Sequence, residues 1–260
     1  MNFVGGACLM ALLSVTGCAS VPYRTHPELL RAKDNIRTVG IMPVTVAGFV
    51  EQFSFTDSLV PREDMSRQMS AAVTEAFREE MAAQQGQSVV IGNEDQDLAD
   101  LADLYSAIDY TAARHFVPMA IYRGENEYIE PFPPEGRPFV FSVGPANVAM
   151  ERHSVDAVWF LSGFNCIPTT GARVRDVVDF VISLAGSYGG GGGPHILVNF
   201  ELRGALVARD GTLLFYGKVT EGNILGGDDA GSAALDLRDA EFARRCIRSL
   251  LAQYRQAVQE

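Results

Sequence analysis

The sequence predicts an α/β fold, in which a mixed sheet with an antiparallel C-terminal hairpin is covered by amphipathic helices. Two observations predict it. Short runs of β-branched and apolar residues alternate along the chain with longer segments whose apolar residues recur at helical spacing. Near the C-terminus, two strand-like runs flank Arg209-Asp210-Gly211-Thr212, which has the composition of a tight hairpin turn.

The elements of the N-terminal half follow in order. Residues 38–44 form a short apolar run that predicts a buried strand ending at proline. A loop through 48–61 leads into a helix from about 62 to 83, where Pro61 suits the first turn and apolar residues recur on one side. A second short strand is expected at 88–91. A second amphipathic helix is expected to follow, with Leu98 to Ala112 along one face.

The C-terminal half begins with an irregular stretch. Residues 123–145 hold five prolines and break the rhythm of the elements, so we interpret them as an insertion or long loop. The elements that follow are a short helix at 145–152, the strongest predicted strand at 156–163, a helix at 173–185, strands at 196–208 and 213–219, and a closing helix at 235–258.

The first 17 residues contain no charged side chain and end in Val15-Thr16-Gly17-Cys18. Their apolar run has the length of a signal-peptide core and is shorter than the roughly 20 residues that span a bilayer. The four residues resemble the lipobox of bacterial lipoproteins, although no Lys or Arg precedes the run. The resemblance implies a signal peptide at 1–17 and lipidation of Cys18, which would anchor the chain in a lipid bilayer. An ordinary secretory signal, or a buried N-terminal helix with an incidental cysteine, is the alternative.

The same resemblance implies a location. Ala19 follows the cysteine where an aspartate would signal retention, which by the sorting rule of Gram-negative lipoproteins implies the outer membrane, facing the periplasm. Residues 18–35 are polar and contain two prolines, so they are expected to form a tether. The remaining residues, 36–260, are long enough to form a single α/β domain that carries the insertion.

Composition limits the function classes. The hydrophobic fraction of 47% allows a real core, so the chain is not expected to be disordered. The formal net charge of -11 repels phosphate backbones, which argues against nucleic acid as a partner. The same charge argues against electrostatic docking of the whole domain on anionic lipid. The lipid on Cys18 would therefore have to hold the chain on the membrane.

Two cysteines remain in the mature part of the chain, Cys166 and Cys246. In an oxidising compartment they could form a disulfide, which at this loop length would contribute about 4 kcal/mol. The alternative is two buried thiols, because unpaired cysteine is among the most buried residue types. No CxxC or HxxxH pair is present, so no metal site is predicted.

No catalytic signature stands out. The four histidines occur without an HExxH motif or a GxSxG elbow, and Ser162 has no activating neighbour in sequence. The glycine run at 189–193 follows a predicted helix and precedes a strand, the reverse of a phosphate-binding loop. Asp228 and Asp229 lack the spacing of an EF-hand. We therefore predict no catalytic residue, no cofactor and no enzymatic activity.

Three segments carry a second resemblance: Val39-Gly40-Ile41-Met42-Pro43-Val44, the stretch from Ala149 to Gly163, and the hairpin from Leu206 to Tyr216. In this order they resemble the α/β domain of a group of periplasmic lipoproteins. These lipoproteins are related to the curli-export channel and to the N-terminal domain of the Tol β-propeller protein. The resemblance implies the fold and action through protein contacts. The sequence departs from the family in having Ser154-Val155 where Gly-Ala is usual. The stretches 123–145 and 164–194 also lack the alternation of membrane-inserting hairpins.

Two functional hypotheses follow. The first is a non-enzymatic lipoprotein that binds an envelope protein or self-assembles, acting in cell-envelope assembly or transport. Its contact surface would be the aromatic segment 123–145, with Tyr128, Phe132 and Phe139 as the contact residues. The alternative is a periplasmic hydrolase or small-ligand-binding lipoprotein, which requires a deep pocket that gathers a histidine and a carboxylate with a serine or a metal.

Overall fold

A computed structural model of the chain describes residues 23–52, 58–83, 87–91, 108, 138–142, 147–168, 200–220 and 235–259. Over these residues it confirms the predicted α/β class, with a mixed sheet and helices. The eight described strands are β1 (Tyr23–Thr25), β2 (Thr38–Ile41), β3 (Thr45–Gln52), β4 (Ser58–Pro61), β5 (Gln87–Val90), β6 (Ala157–Pro168), β7 (Phe200–Ala208) and β8 (Leu213–Thr220). The four described α-helices are α1 (Leu29–Ala32), α2 (Glu63–Ala83), α3 (Asn147–His153) and α4 (Ala240–Ala257).

The long strand β6 forms the middle of the sheet. The order of hydrogen-bonded strands is β1-β8-β7-β6-β2-β5, and β3 pairs with both β6 and β4. On one side of β6 lies β7, which is antiparallel, and β7 continues into the antiparallel hairpin with β8. On the other side, β2 pairs in parallel with the start of β6 and β3 pairs in parallel with its end. The predicted mixed sheet with a C-terminal antiparallel hairpin is therefore observed.

A bulge at Pro43 separates β2 from β3. Ile41 pairs with Trp159 and Thr45 pairs with Ser162, so four steps along one strand oppose three along the other. One extra residue in a strand defines a β-bulge, and proline is tolerated there because it has no N–H to donate. The chain therefore resumes pairing after the proline instead of leaving the sheet.

The predicted loop at 48–61 is wrong, because it contains most of β3 and all of β4. The strand β3 is held by a seven-residue ladder to β6, more than a hundred positions later in the sequence. Glycine usually weakens a strand, but β3 requires one at Gly48. A Cβ at this position would lie 2.9 Å from the Cβ of Met65 in α2. Local composition therefore does not predict β3, because this strand depends on pairing with the distant strand β6.

Helices α2 and α4 lie against one face of the sheet, the face to which Trp159 of β6 points, and against each other. We call this the first face. The predicted helix at 62–83 is confirmed as α2, with Met65, Met69, Val73 and Phe77 buried. The closing helix begins at Ala240, five residues later than predicted, because the Asp239 side chain caps it by accepting a hydrogen bond from the Phe242 amide at 2.8 Å.

Alternation along β6 divides the core in two. Ala157, Trp159 and Leu161 point to the first face, into the core formed with α2 and α4. Val158 and Phe160 point to the second face, where they pack with buried residues of other segments, which include Ile108, Phe139, Met150, Val155 and Tyr216. Both faces of the sheet are therefore covered along this part of β6.

The predicted tether at 18–35 is too long. Strand β1 pairs with β8 from Tyr23↔Gly217 to Thr25↔Phe215, and Tyr23 and Leu29 are both buried. The prolines and polar residues of this segment suggested a linker, but its Tyr23 and Leu29 side chains are buried in the core. Residues from Tyr23 onward therefore belong to the folded domain.

Helix α3 ends in a Schellman motif whose left-handed residue is a serine. The Val155 amide donates to the Met150 carbonyl at 3.0 Å, and the Ser154 amide donates to the Glu151 carbonyl at 3.2 Å. Ser154 has φ of 53°, a conformation that L-residues other than glycine adopt only at a cost. The position at which this sequence departs from the resembled family is thus a position that favours glycine.

We expect the substitution Ser154→Gly to raise the free energy of unfolding by about 0.5–1 kcal/mol, because relief of the left-handed backbone outweighs the entropy that glycine loses on folding. Urea unfolding followed by circular dichroism measures the change. The matched control is Ser154→Ala, which keeps a Cβ in the same backbone conformation and should show no gain. A glycine variant no more stable than the alanine variant would contradict the argument.

Candidate functional site

A cleft of about 330 Å³ opens where the start of β6 meets the turn between β7 and β8. Its floor includes the apolar side chains of Ile36 and Leu214. The polar residues that line it come from four separate segments: Glu28, Asn35, Asp156, Arg209, Asp210 and Thr212. We call this the Asp156 cleft.

Asp156 joins β2 to β6 at the wall of the cleft. Its Oδ2 accepts hydrogen bonds from the amides of Arg37 and Thr38, both at 2.9 Å, and its own amide donates to the Thr38 carbonyl at 2.8 Å. The hydrogen bonds from the Thr38 and Arg37 amides lower the pKa of the Asp156 carboxyl below its ordinary value. This carboxylate is therefore ionised at neutral pH and also fixes the first residues of two neighbouring strands.

The hairpin turn forms the opposite wall and confirms the turn predicted at 209–212. Gly211 has φ of 84°, and its amide donates to the Ala208 carbonyl at 2.9 Å, as in a turn followed by a left-handed bulge residue. Asp210 Oδ1 accepts the Thr212 amide at 2.9 Å, and this bond lowers the pKa of the Asp210 carboxyl. Arg209 Nη2 donates to the Val155 carbonyl at 3.1 Å and so closes the cleft against the end of α3.

The electrostatics of the Asp156 cleft suit binding better than proton transfer. A general acid or base works best with a pKa near the working pH, whereas the pKa values of Asp156 and Asp210 are lowered. The described residues of the lining carry three carboxylates and one guanidinium, and no serine, histidine or cysteine is among them. Among the described residues, no group of three His, Cys, Asp or Glu side chains is placed to hold a metal ion.

We expect Asp156→Ala to lower the free energy of unfolding by about 1–2 kcal/mol, because two backbone amides lose their charged acceptor. Asp156→Asn keeps an acceptor oxygen and should cost less. The carboxyl pKa is lowered on folding, so its contribution is complete above about pH 5 and is lost as the pH falls through the folded-state pKa. Urea unfolding from pH 7 to pH 3 should therefore show the gap between wild type and Asp156→Asn closing at low pH. A gap that stays constant would contradict this.

A second polar group lies on the second face of the sheet, further along β6 and β7. Glu201 Oε2 is 3.0 Å from Lys218 Nζ, and Glu201 Oε1 accepts a hydrogen bond from Arg203 Nε. The side chains are 11%, 27% and 25% exposed for Glu201, Lys218 and Arg203. Arg203 and Lys218 are direct cross-strand neighbours, so Glu201 separates two like charges that would otherwise face each other. We call these three residues the Glu201 cluster.

The Glu201 cluster was missed in the sequence, although a signal for it was present. Glu201 and Arg203 are two apart in a predicted strand, so they must share a face. Lys218 was predicted to lie on the partner strand of the same hairpin. Ser162, considered as a nucleophile from the sequence, pairs with Arg203 and is buried on the same side. The Glu201 cluster contains no histidine, the residue that acts as the base for the serine in a catalytic triad.

Of the two alternatives for the cysteines, the structure shows the buried thiols. Cys166 and Cys246 are both buried and neither is in a disulfide. Alternation along β6 places Cys166 on the face of Val158 and Phe160, whereas Cys246 is in the core under α4 on the other face. The sheet therefore stands between the two thiols. Burial raises the pKa of the Cys246 thiol to about 12, which leaves it protonated and unreactive at neutral pH.

Of the predicted contact residues, Phe139 is in the core and was wrongly assigned to the surface. Its side chain is 4% exposed and packs edge to face on Phe141, with ring centroids 5.0 Å apart. The reason is pairing: Ser142 forms a bridge to Thr212, and the Phe141 carbonyl accepts the Leu213 amide, so this stretch joins the hairpin.

Several predicted features lie outside the described residues, so the structure does not place them. They are the lipobox with Cys18, the contact residues Tyr128 and Phe132, the helix at 173–185, the glycine run at 189–193, and Asp228 with Asp229. Among the helices that the structure describes, none has both the length and the apolar character needed to cross a bilayer.

No protein-family model, curated protein or solved structure matches this chain. Functional inference therefore depends on the chain's own residues and their geometry.

Proposed function

We propose that this chain is a bacterial lipoprotein, anchored in the outer membrane through lipid on Cys18 and facing the periplasm. It acts through protein–protein contacts in cell-envelope assembly or transport and has no catalytic activity of its own. The carrying observation is the uncharged apolar run that ends in Val15-Thr16-Gly17-Cys18, which resembles the lipobox of bacterial lipoproteins. Strand β1 (Tyr23–Thr25) follows this point in the chain, so a lipidated Cys18 would precede β1 by five positions.

The anchor is tested by intact mass and by labelling with palmitate in the expressing bacterium. We expect the wild-type chain to lose residues 1–17, gain acyl mass and sediment with membranes. In Cys18→Ala the acyl mass should vanish and the protein should leave the membrane fraction, because lipid chains supply the anchoring free energy. Cys8→Ala is the matched control and should behave as wild type. An unacylated wild-type chain would overturn the proposal.

The contact function is supported by the segment 123–145, whose aromatics Tyr128 and Phe132 remain as candidate contact residues. Chemical crosslinking in intact cells tests it. A Tyr128→Ala, Phe132→Ala double variant should lose crosslinked species that the wild-type chain forms. Val140→Ala is a control in the same segment, since Val140 is an exposed side chain next to buried Phe139. A crosslinking pattern unchanged in the double variant would remove this segment as the contact surface.

The Asp156 cleft favours a second candidate, a small-ligand-binding lipoprotein. Its volume is at the lower end of ligand pockets, roughly 300–1,000 Å³, and polar groups converge in it from distant segments. The hydrolase version has less support, because the described residues of the lining include no serine, cysteine or histidine, and the pKa values of Asp156 and Asp210 are lowered away from the range of a general acid or base. Calorimetric titration of the Cys18→Ala chain with primary amines tests this candidate. Saturable heat that disappears in Glu28→Gln would support it, and no heat with any amine would count against it.

A further inference from the structure

We infer that the edge of the domain formed by β1 and α1 faces the lipid bilayer and that Leu30 is directed at the headgroups. This orientation rests on the proposed function, since it starts from lipid on Cys18. It goes beyond that proposal because it assigns a membrane-facing surface within the folded domain. The occupant of that surface is a bilayer containing anionic lipid.

The first argument is the reach of the anchor. Tyr23 is five positions after Cys18, and five extended steps of the chain span at most about 17 Å. Tyr23 is in β1, at one edge of the described sheet, and β5 is five strand positions away. At about 4.8 Å per strand, that separation is roughly 24 Å. The anchor therefore draws the β1 edge to the membrane before any other part of the sheet.

The second argument is an exposed leucine beside the anchor. Leu30 is 43% exposed, although its neighbour Leu29 is fully buried. The other large hydrophobic side chains that are exposed in the described part of the chain are Val89, Val90 and Val140, none of them near β1 in sequence. A leucine that the domain leaves partly exposed can complete its burial among lipid headgroups and acyl chains.

The third argument is local charge. Residues 19–34 hold three cations, Arg24, Arg31 and Lys33, against the two carboxylates Glu28 and Asp34. Their balance is +1 in a chain whose formal net charge is -11. The C-terminal end of α4 lies at the same edge, where the Lys33 ammonium donates to the Val258 carbonyl at 2.8 Å, and it adds Arg255. Anionic lipid would therefore attract this edge and repel the rest of the domain.

The test compares two single-cysteine labels on the acylated, full-length mature protein. Leu30→Cys and Val90→Cys carry the same environment-sensitive fluorophore, and their native side chains are 43% and 48% exposed. Cys166 and Cys246 are buried and Cys18 is blocked by lipid, so labelling is confined to the introduced thiol. The protein is reconstituted into phosphatidylethanolamine–phosphatidylglycerol vesicles that contain a lipid with a headgroup nitroxide quencher.

We expect the label at position 30 to be quenched at least two-fold more than the label at position 90. Adding Arg24→Gln and Arg31→Gln to the Leu30→Cys chain should reduce that difference, and circular dichroism checks that the variant is folded. Equal quenching, or stronger quenching at position 90, in acylated protein that floats with the vesicles would overturn the orientation and leave the anchor intact. Absence of acyl mass on Cys18 would overturn the proposed function, and the orientation with it.

Discussion

Replacing Trp159 with alanine is expected to lower the free energy of unfolding by about 3–5 kcal/mol. Trp159 is 2% exposed and contacts aromatic rings on three other elements. Its ring centroid lies 5.5 Å from that of Phe77 in α2, 5.7 Å from Phe215 in β8 and 5.6 Å from Tyr254 in α4. One side chain therefore joins the central strand to both covering helices. Alanine would leave a cavity among rings that can shift only partly to fill it.

Guanidinium unfolding followed by far-ultraviolet circular dichroism measures this loss. Trp159→Phe keeps an aromatic ring at the site and should cost less than half as much, while Val90→Ala at the exposed edge should stay within about 0.5 kcal/mol of wild type. Trp159 is the chain's one tryptophan, so wild-type fluorescence reports directly on this core. A loss below about 1 kcal/mol in Trp159→Ala would show that the helices do not depend on this ring for docking.

Replacing Glu201 with alanine is expected to cost about 3 kcal/mol, because the variant leaves Arg203 and Lys218 partly buried and facing each other across β7 and β8. Each carboxylate oxygen contacts one of the two cations. Their side chains are about a quarter exposed, so water screens part of the repulsion, and the expected loss is at the lower end for a broken buried ion pair.

Two comparisons separate charge from shape in the Glu201 cluster. Glu201→Gln keeps the size of the side chain and should lose most of the same stability, with partial recovery in high salt because salt screens the two cations. Adding Lys218→Gln to Glu201→Gln should restore stability, so the double variant should lose less than the sum of the single losses. Strictly additive losses in urea unfolding would contradict the coupled arrangement.

Most of the elements that were predicted from local patterns and that the structure describes are confirmed, including the short strands β2 and β5 and the short helix α3. Helix α2, the long strand β6, the hairpin of β7 and β8, and the closing helix α4 each carry their own periodic or turn signal. Each of them buries a continuous stripe or face, so the sequence pattern and the burial pattern coincide. Helix α4 shows the usual error in boundaries, since the Asp239 cap sets its start and apolar spacing does not.

The wrong predictions share one cause, which is pairing with a distant segment. The strands β1, β3 and β4 have weak local signals and exist through ladders to β8 and β6 or, for β4, to β3. Phe139 was taken as a surface aromatic because its segment is rich in proline, yet the bridge from Ser142 to Thr212 places it in the second core. The sequence alone left open whether Cys166 and Cys246 pair, whereas in the structure the sheet separates the two thiols.

The candidate sites divide in the same way. Two of the three residues of the Glu201 cluster could be predicted to lie together from the two-residue spacing of Glu201 and Arg203 on one strand. The Asp156 cleft could not, because it joins residues from Glu28 to Leu214 and exists only where β2, β6 and the hairpin turn meet. No pattern within one segment indicates that a carboxylate will accept amides more than a hundred residues earlier in the chain.

By itself, the sequence determined the fold class, the main helices and the hairpin, because each depends on interactions within a short window of the chain. It also supplies the lipobox at Cys18, which as a motif for a processing enzyme needs no folded context and which stays a prediction. Tertiary structure alone decided the pairing of β1 with β8, the path of β3 along β6, and the assembly of the Asp156 cleft. These features depend on contacts between segments far apart in the chain, whose free energy appears only when the sheet has formed.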